Sequence, residues 1–169
     1  HNPANGMMHY AVLCRAALQA LPPGRMEAML QAMPNRRDRA LRAAAARQGV
    51  DAPEFADAVR TQEEMLEAID MALAGHAFLV GDQITHADLV ALPYVARLEQ
   101  MGLMALVDAA GRERLADWYR RMKARPSWAA TIGALPRQLV DHWQSLGGKA
   151  WPQVARHLRS TSAPAFRQT

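Results

Sequence analysis

Residues 78–89 read Phe78-Leu79-Val80-Gly81-Asp82-Gln83-Ile84-Thr85-His86-Ala87-Asp88-Leu89, and they specify a helix start several times over. The Thr85 hydroxyl can accept from the Asp88 amide while the Asp88 carboxylate reaches back to the Thr85 amide. That is a reciprocal capping box, with Asp in place of the commoner Glu or Gln. Ile84 stands just before the cap and Leu89 at the fourth helical position, the two ends of a hydrophobic staple. Gly81 permits the tight bend that returns Leu79 to the core. The anionic Asp88 in the first turn also suits the helix dipole. A capped helix is therefore expected from Thr85 to about Met101. Thr85 and Asp88 are read as structural capping residues, not as an active site.

Outward from this start, the periodicity stays helical. Met7, Ala11, Cys14, Leu18 and Leu21 step by 4, 3, 4, 3 along one stripe that ends at Pro22-Pro23-Gly24. A short segment with Met26, Met29, Leu30 and Met33 stops at Pro34, and Asn35 caps an Arg- and Ala-rich helix to Gly49. The longest helix starts near Asp51 with Pro53 in its first turn. Its stripe is Phe55, Val59, Gln62, Leu66, Ile69 and Leu73, ending at Gly75. Glu63, Glu64, Glu67 and Asp70 flank that stripe and read as solvated. Leu115, Trp118, Tyr119 and Met122 mark another helix, broken at Arg125-Pro126. A short turn around Trp128 and Ile132 follows. A further helix carries Leu139, Val140, Trp143 and Leu146 and is expected to close at Gly147-Gly148. Residues 151–158 read as one more short helix before a Ser/Thr-rich frayed end. No run alternates Val, Ile or Thr as a strand would, and no repeat is visible. The expected fold is all-α, with a helical domain over residues 1–146 and an extension over 147–169.

The chain has 169 residues, half of them hydrophobic and 21% charged, enough for one buried core. The net charge of +4 is spread out apart from Arg36-Arg37 and Arg120-Arg121, which permits nucleic acid as a partner without indicating it. The lone Cys14 excludes an internal disulfide and points to a reducing cytoplasm. On the apolar stripe it reads as a buried, inert thiol. No apolar run approaches the roughly 18 residues of a membrane span. The six histidines lack metal-ligand spacing, and no nucleophile elbow or phosphate loop occurs. No metal, membrane or nucleic-acid partner is expected, and no catalytic residue is assigned within the chain.

The segment Phe78-Leu79-Val80-Gly81-Asp82 followed by Thr85-His86-Ala87-Asp88 resembles the C-terminal helical domain of glutathione transferases, where such a capping box starts the central helix. Leu92-Pro93-Tyr94 is similar to the proline those proteins place within that helix. Trp118-Tyr119-Arg120-Arg121-Met122 with Arg125-Pro126-Ser127 resembles a later run of the same domain, and Met33-Pro34-Asn35-Arg36-Arg37 one found in bacterial members. The resemblance covers roughly residues 5–135. It implies a glutathione-transferase-like helical bundle that supplies the hydrophobic-substrate wall and dimer contacts. The thioredoxin-like N-terminal half, which carries the thiol-activating group, is absent from this stretch, so the chain alone is expected to be inactive. Glutathione is implied as co-substrate of the parent protein, a small hydrophobic electrophile as its acceptor, and a homodimer through helices around 7–21 and 54–74.

By the same resemblance, Asn5, His9 and Tyr10 at the start of the first helix face the cleft between the halves and are the candidate ligand-binding residues. Read from the residues alone, they form an ordinary polar helix start with Tyr10 in core packing. The methionines serve either an adaptable pocket or core filling. Trp143 and Trp151 read either as a lid over the pocket or as packing against the body. Two rival functions stand beside the enzyme half. One is a non-catalytic docking module, as in translation elongation factor and aminoacyl-tRNA synthetase complexes. The other is a ligand-sensing effector domain, which lacks the DNA-binding segment it would need.

Overall fold

The computed structural model describes residues 3–108 and 111–158. Among these the fold is all-α, with no strand beyond one isolated bridge between Phe78 and Gly81. The helices are α1 (Pro3–His9), α2 (Arg15–Gln19), α3 (Arg25–Gln31), α4 (Arg36–Gln48) and α5 (Pro53–Ala72), followed by α6 (His86–Gln100), α7 (Ala105–Asp108), α8 (Glu113–Lys123), α9 (Pro126–Ala130) and α10 (Arg137–Val154). A π-helical turn, Tyr10–Cys14, joins α1 to α2 in line. The 105–108 turn has no counterpart in the sequence reading.

The stripe expected along α5 is the core of the molecule: Phe55, Val59, Gln62, Leu66, Ile69 and Leu73 are all buried. So are Leu115, Trp118, Tyr119 and Met122 on α8. On the first helix the expected stripe drifts. Met7 and Ala11 are buried as expected, but the core also takes Met8 and Leu13, while Cys14, Leu18 and Leu21 are only half-buried. The wider π turn adds a residue to the helical repeat, and that rotates the following side chains away from the predicted face.

The capping box forms with both halves present. The Thr85 amide donates to Asp88 Oδ2 at 2.8 Å, and the Thr85 hydroxyl lies 3.0 Å from the same oxygen. Asp88 also does more than cap. Its Oδ1 accepts from the Leu79 amide at 3.0 Å and from the Trp118 indole N–H at 2.9 Å, and the side chain is wholly buried. Gly81 takes φ +113°, which closes the 78–81 bend that a side chain would strain. The staple is not built as expected: Ile84 packs on the core, but Leu89 is 52% exposed. Asp88 ties the loop down from inside, so no apolar clasp is needed outside.

Two of the acids expected to be solvated are buried. Asp70 receives the Leu115 amide at 2.9 Å and the Arg114 guanidinium at 2.5 Å, so it caps the start of α8 from across the bundle. Glu63 lies beside Arg112, whose Nη2 reaches its carbonyl at 3.5 Å. A helical wheel of α5 alone places these acids at the stripe edge and cannot see α8 approaching them.

Gly147-Gly148 does not end a helix. α10 runs through both glycines to Val154 and absorbs the expected short helix at 151–158, leaving only the 3₁₀ turn Ala155–His157. The expected domain boundary at 147 thus falls inside α10, and the Ser/Thr-rich end lies outside the described residues. Gly147 serves close packing: a Cβ there would sit 1.6 Å from the Met101 carbonyl oxygen at the end of α6. Gly148 faces open space. The chain then returns to α5, with His157 Nε2 2.9 Å from the Val50 carbonyl and its ring 5.6 Å from that of Phe55.

Two stability measurements follow. Gly147→Ala is expected to lower the urea midpoint sharply, because α10 must move off α6. Gly148→Ala should raise stability by about 0.5–1 kcal/mol through helix propensity. Equal effects at the two positions would contradict the close packing assigned to Gly147. Asp88→Ala strands two amides and an indole N–H in the interior and should cost about 3 kcal/mol or more, against about 1 kcal/mol for Thr85→Ala. Burial opposes ionisation of Asp88, but the donors from Leu79, Thr85 and Trp118 outweigh it and hold its pKa below the ordinary 3.8. Its charge therefore stabilises the fold fully above pH 3.8, and this contribution is lost as pH falls through the lower folded value. Asp88→Asn should flatten that acid limb of the stability profile.

Candidate ligand cleft

Packing of α1 on α5 decides which side chains of the first helix stay accessible. Met7 and Met8 are driven into the core, while Asn5, His9 and Tyr10 are left half-buried. All three then line one open cleft of about 390 Å³. Arg42 of α4 closes one side of it, and Pro93, Tyr94 and Arg97 of α6 close the other. Asn35 sets the start of α4 by accepting from the Asp38 amide at 3.0 Å. Pro93 lacks an N–H inside α6, so the helix there has one internal bond fewer where it borders the cleft.

The polar groups of the cleft are held by aromatic rings and not by opposite charges. Arg42 Nη1 donates to the Tyr10 hydroxyl at 3.0 Å and lies 3.7 Å from Met33 Sδ. Its guanidinium carbon stands 4.5 Å from the Tyr10 ring centre. Arg97 stands 5.6 Å from the Trp143 ring, and the same indole meets the His9 ring edge-on at 6.2 Å. Among the described residues, no Asp or Glu lines the cleft. Three buried atoms around it, Asn5 Oδ1, His9 Nδ1 and Arg97 Nη1, find no hydrogen-bond partner among the described residues. Such groups cost free energy until a ligand or water meets them.

Trp143 thus packs as a rear wall behind His9 and Arg97, while Trp151 is half-buried against the core. Of the methionines, Met33 reaches Arg42, Met26 is half-buried and Met29 is 46% exposed. Cys14 is half-buried and not fully so; burial raises its pKa, against the pull of Arg42 and Arg97. A thiol held protonated is a poor nucleophile. Among the described residues no group of three His, Cys, Asp or Glu could hold a metal, and no helix is long and apolar enough to cross a membrane.

Sequence reasoning did not single out Arg42 or Arg97 for this cleft. Arg42 sits in an Arg-rich helix where nothing local distinguishes it from its solvated neighbours. Only the approach of α1 and α6 does so.

His9 gives the cleft a pH signature. Burial lowers its pKa below 6.5, and the positive charges of Arg97 and Arg42 lower it further. The folded chain keeps His9 neutral where the unfolded chain would protonate it. Its contribution is therefore complete above pH 6.5 and is lost as pH falls through the lower folded value. Stability should drop as pH falls below 6.5, and His9→Gln should remove part of that slope in urea titrations. An unchanged slope would mean that His9 is not held neutral by these surroundings.

With this geometry in view, comparison with known proteins places the helices in a family. No solved structure matches the chain. The family described as Glutathione S-transferase, C-terminal domain matches residues 23–126, more than half of the chain, from just before α3 to the start of α9. Asn5, His9 and Tyr10 lie before the matched segment, whereas Arg42, Pro93, Tyr94 and Arg97 lie within it. The chain belongs to the glutathione S-transferase C-terminal domain family.

Proposed function

We propose that this chain is the helical half of a glutathione-dependent transferase, with the cleft between α1, α4 and α6 as the wall that receives the acceptor substrate. The observation that carries this reading is the convergence of Asn5, His9 and Tyr10 on one open cleft, with buried polar atoms that lack partners. The chemistry of the cleft suits binding and orientation. Tyr94 and Pro93 offer an apolar wall, Tyr10 carries a hydroxyl, and Asn5 and His9 offer hydrogen-bonding atoms. Glutathione supplies the thiol that attacks the electrophile, and a thioredoxin-like half supplies the donor that lowers the thiol pKa. Cys14 lies outside the cleft and burial raises its pKa, so it offers no rival thiolate.

Exposed apolar side chains support a joined partner domain. Val80, Leu89 and Val90 around the start of α6 are 69%, 52% and 50% exposed. Leu89 and Val90 lie on the helix that also walls the cleft. Pairing of two copies through the helices around 7–21 and 54–74, in a cytoplasmic setting, completes the reading.

The test is conjugation of glutathione to an activated aryl halide by the intact protein. Turnover is expected, with kcat/KM reduced about tenfold by His9→Gln or Tyr10→Phe while the thermal midpoint stays near wild type. Light scattering on the same sample should give twice the protomer mass. If neither glutathione binding nor turnover is found, the enzyme reading fails and the domain is better sought as a docking module in a larger complex.

A further inference from the structure

The cleft contains an imbalance that an apolar acceptor would leave uncorrected. Two guanidiniums and one imidazole face it, and no carboxylate lines it. Both arginines are half-buried, and Arg97 Nη1 is shut off from solvent with nothing to donate to. Each guanidinium lies against a ring, Arg42 against Tyr10 at 4.5 Å and Arg97 against Trp143 at 5.6 Å. A ring holds the planar fork in place without neutralising it. Among the described residues Arg42 bonds through Nη1, to the Tyr10 hydroxyl and Met33 Sδ, which leaves its other N–H groups for a ligand. The two charges also act together on one point, since both depress the basicity of His9. Elsewhere in the molecule other cations meet oxygen acceptors: the buried Arg112 meets the Leu106 carbonyl, the half-buried Lys123 meets Glu99, and the more exposed Arg114 meets Asp70.

We propose that the cleft is an anion site that takes the carboxylate of a small molecule, with Arg42 and Arg97 as its counter-charges. A carboxylate matches the guanidinium fork and gains charge-assisted bonds in a site partly closed to water. Asn5 and His9 line the same cleft and offer polar side chains to a second group on the same molecule, a hydroxyl or N–H donor. The apolar body lies along Tyr94. This rests on the proposed function in one respect: within a transferase, the carboxylate belongs either to the acceptor substrate or to glutathione itself. The binding site does not require turnover, and so it can be tested separately.

The experiment is calorimetric titration of the intact protein with three probes: 4-hydroxybenzoate, its neutral analogue 4-hydroxybenzamide, and glutathione. Arg42→Gln and Arg97→Gln are compared with Arg125→Gln, an exposed position outside the cleft. Arg97→Lys retains charge without the fork. Thermal unfolding of each variant shows that it is folded. The expected result is that 4-hydroxybenzoate binds at least about tenfold more tightly than the amide. That preference should be lost in both Gln variants, reduced in Arg97→Lys and kept in Arg125→Gln. If glutathione alone binds, and loses about tenfold in the two Gln variants, the anion site stands and its carboxylate comes from the co-substrate. Equal binding of acid and amide with no arginine-sensitive glutathione binding overturns the proposal, as does no binding by any probe. Anion binding without conjugation would uphold this site while the transferase reading fails.

Discussion

A single carboxylate sets the geometry on which the rest of the helical body depends. Asp88 lies out of contact with solvent and accepts from the amide of Leu79, the amide of Thr85 and the indole of Trp118. A buried charge is tolerated only when its lone pairs are satisfied, and here donors from three separate segments do so. The consequence is geometric. The 78–85 loop, the first turn of α6 and the middle of α8 are fixed to one another at hydrogen-bond distance. Arg121, one turn along α8 from Trp118, closes the same joint from outside by donating to the Ala77 carbonyl at 2.7 Å. With its first turn fixed, α6 carries Pro93, Tyr94 and Arg97 to one side of the cleft without further instruction.

The same device recurs around α8. Asp70 on α5 accepts the Leu115 amide and the Arg114 guanidinium, which anchors the start of that helix. Glu99 on α6 accepts from the Tyr119 hydroxyl at 2.6 Å and from Lys123 at 2.5 Å. Burial and the neighbouring Glu99 push the Tyr119 pKa upward, so the phenol remains a donor throughout the ordinary pH range. Arg114 and Lys123 are themselves substantially exposed, so these ion pairs add little net energy and chiefly fix register. The apolar face of α8 provides the attraction, and carboxylates on its neighbours determine where along the bundle it rests.

How much of this was legible in the sequence depended on the range of each interaction. The capping box spans three residues, so Thr85 and Asp88 declared it directly. The stripes of α5 and α8 repeat locally and were equally plain. Trp118 and Asp88 are 30 residues apart, and nothing in either neighbourhood announces their bond. Gly147 was misread for a related reason. Two adjacent glycines look like a stop, and only the approach of Met101 shows that one of them is there to let α10 touch α6. The π turn after His9 left no local mark either, and the predicted stripe on that helix slipped accordingly. For the cleft, the resemblance singles out Asn5, His9 and Tyr10 as candidates, and all three line it. Arg42 and Arg97 were not legible, because an arginine's surroundings are a tertiary property.

That last distinction bears on how the cleft should be understood. A stability argument alone would remove Arg97 Nη1 from the interior or pair it with an acid, as the fold does for Arg114 with Asp70. Acids are available in this chain: sixteen are present, and three of them anchor α8 or its loop. None lines the cleft. The two arginines are stacked on rings that hold their orientation and leave their charge uncompensated, a preorganised arrangement in which the cost is met before a ligand arrives. Two uncompensated charges that converge on one open cleft set this arrangement apart from the ion pairs that anchor α8, and support the proposed anion site. The fold provides its rigid support through Asp88, in the first turn of the same helix that carries Arg97.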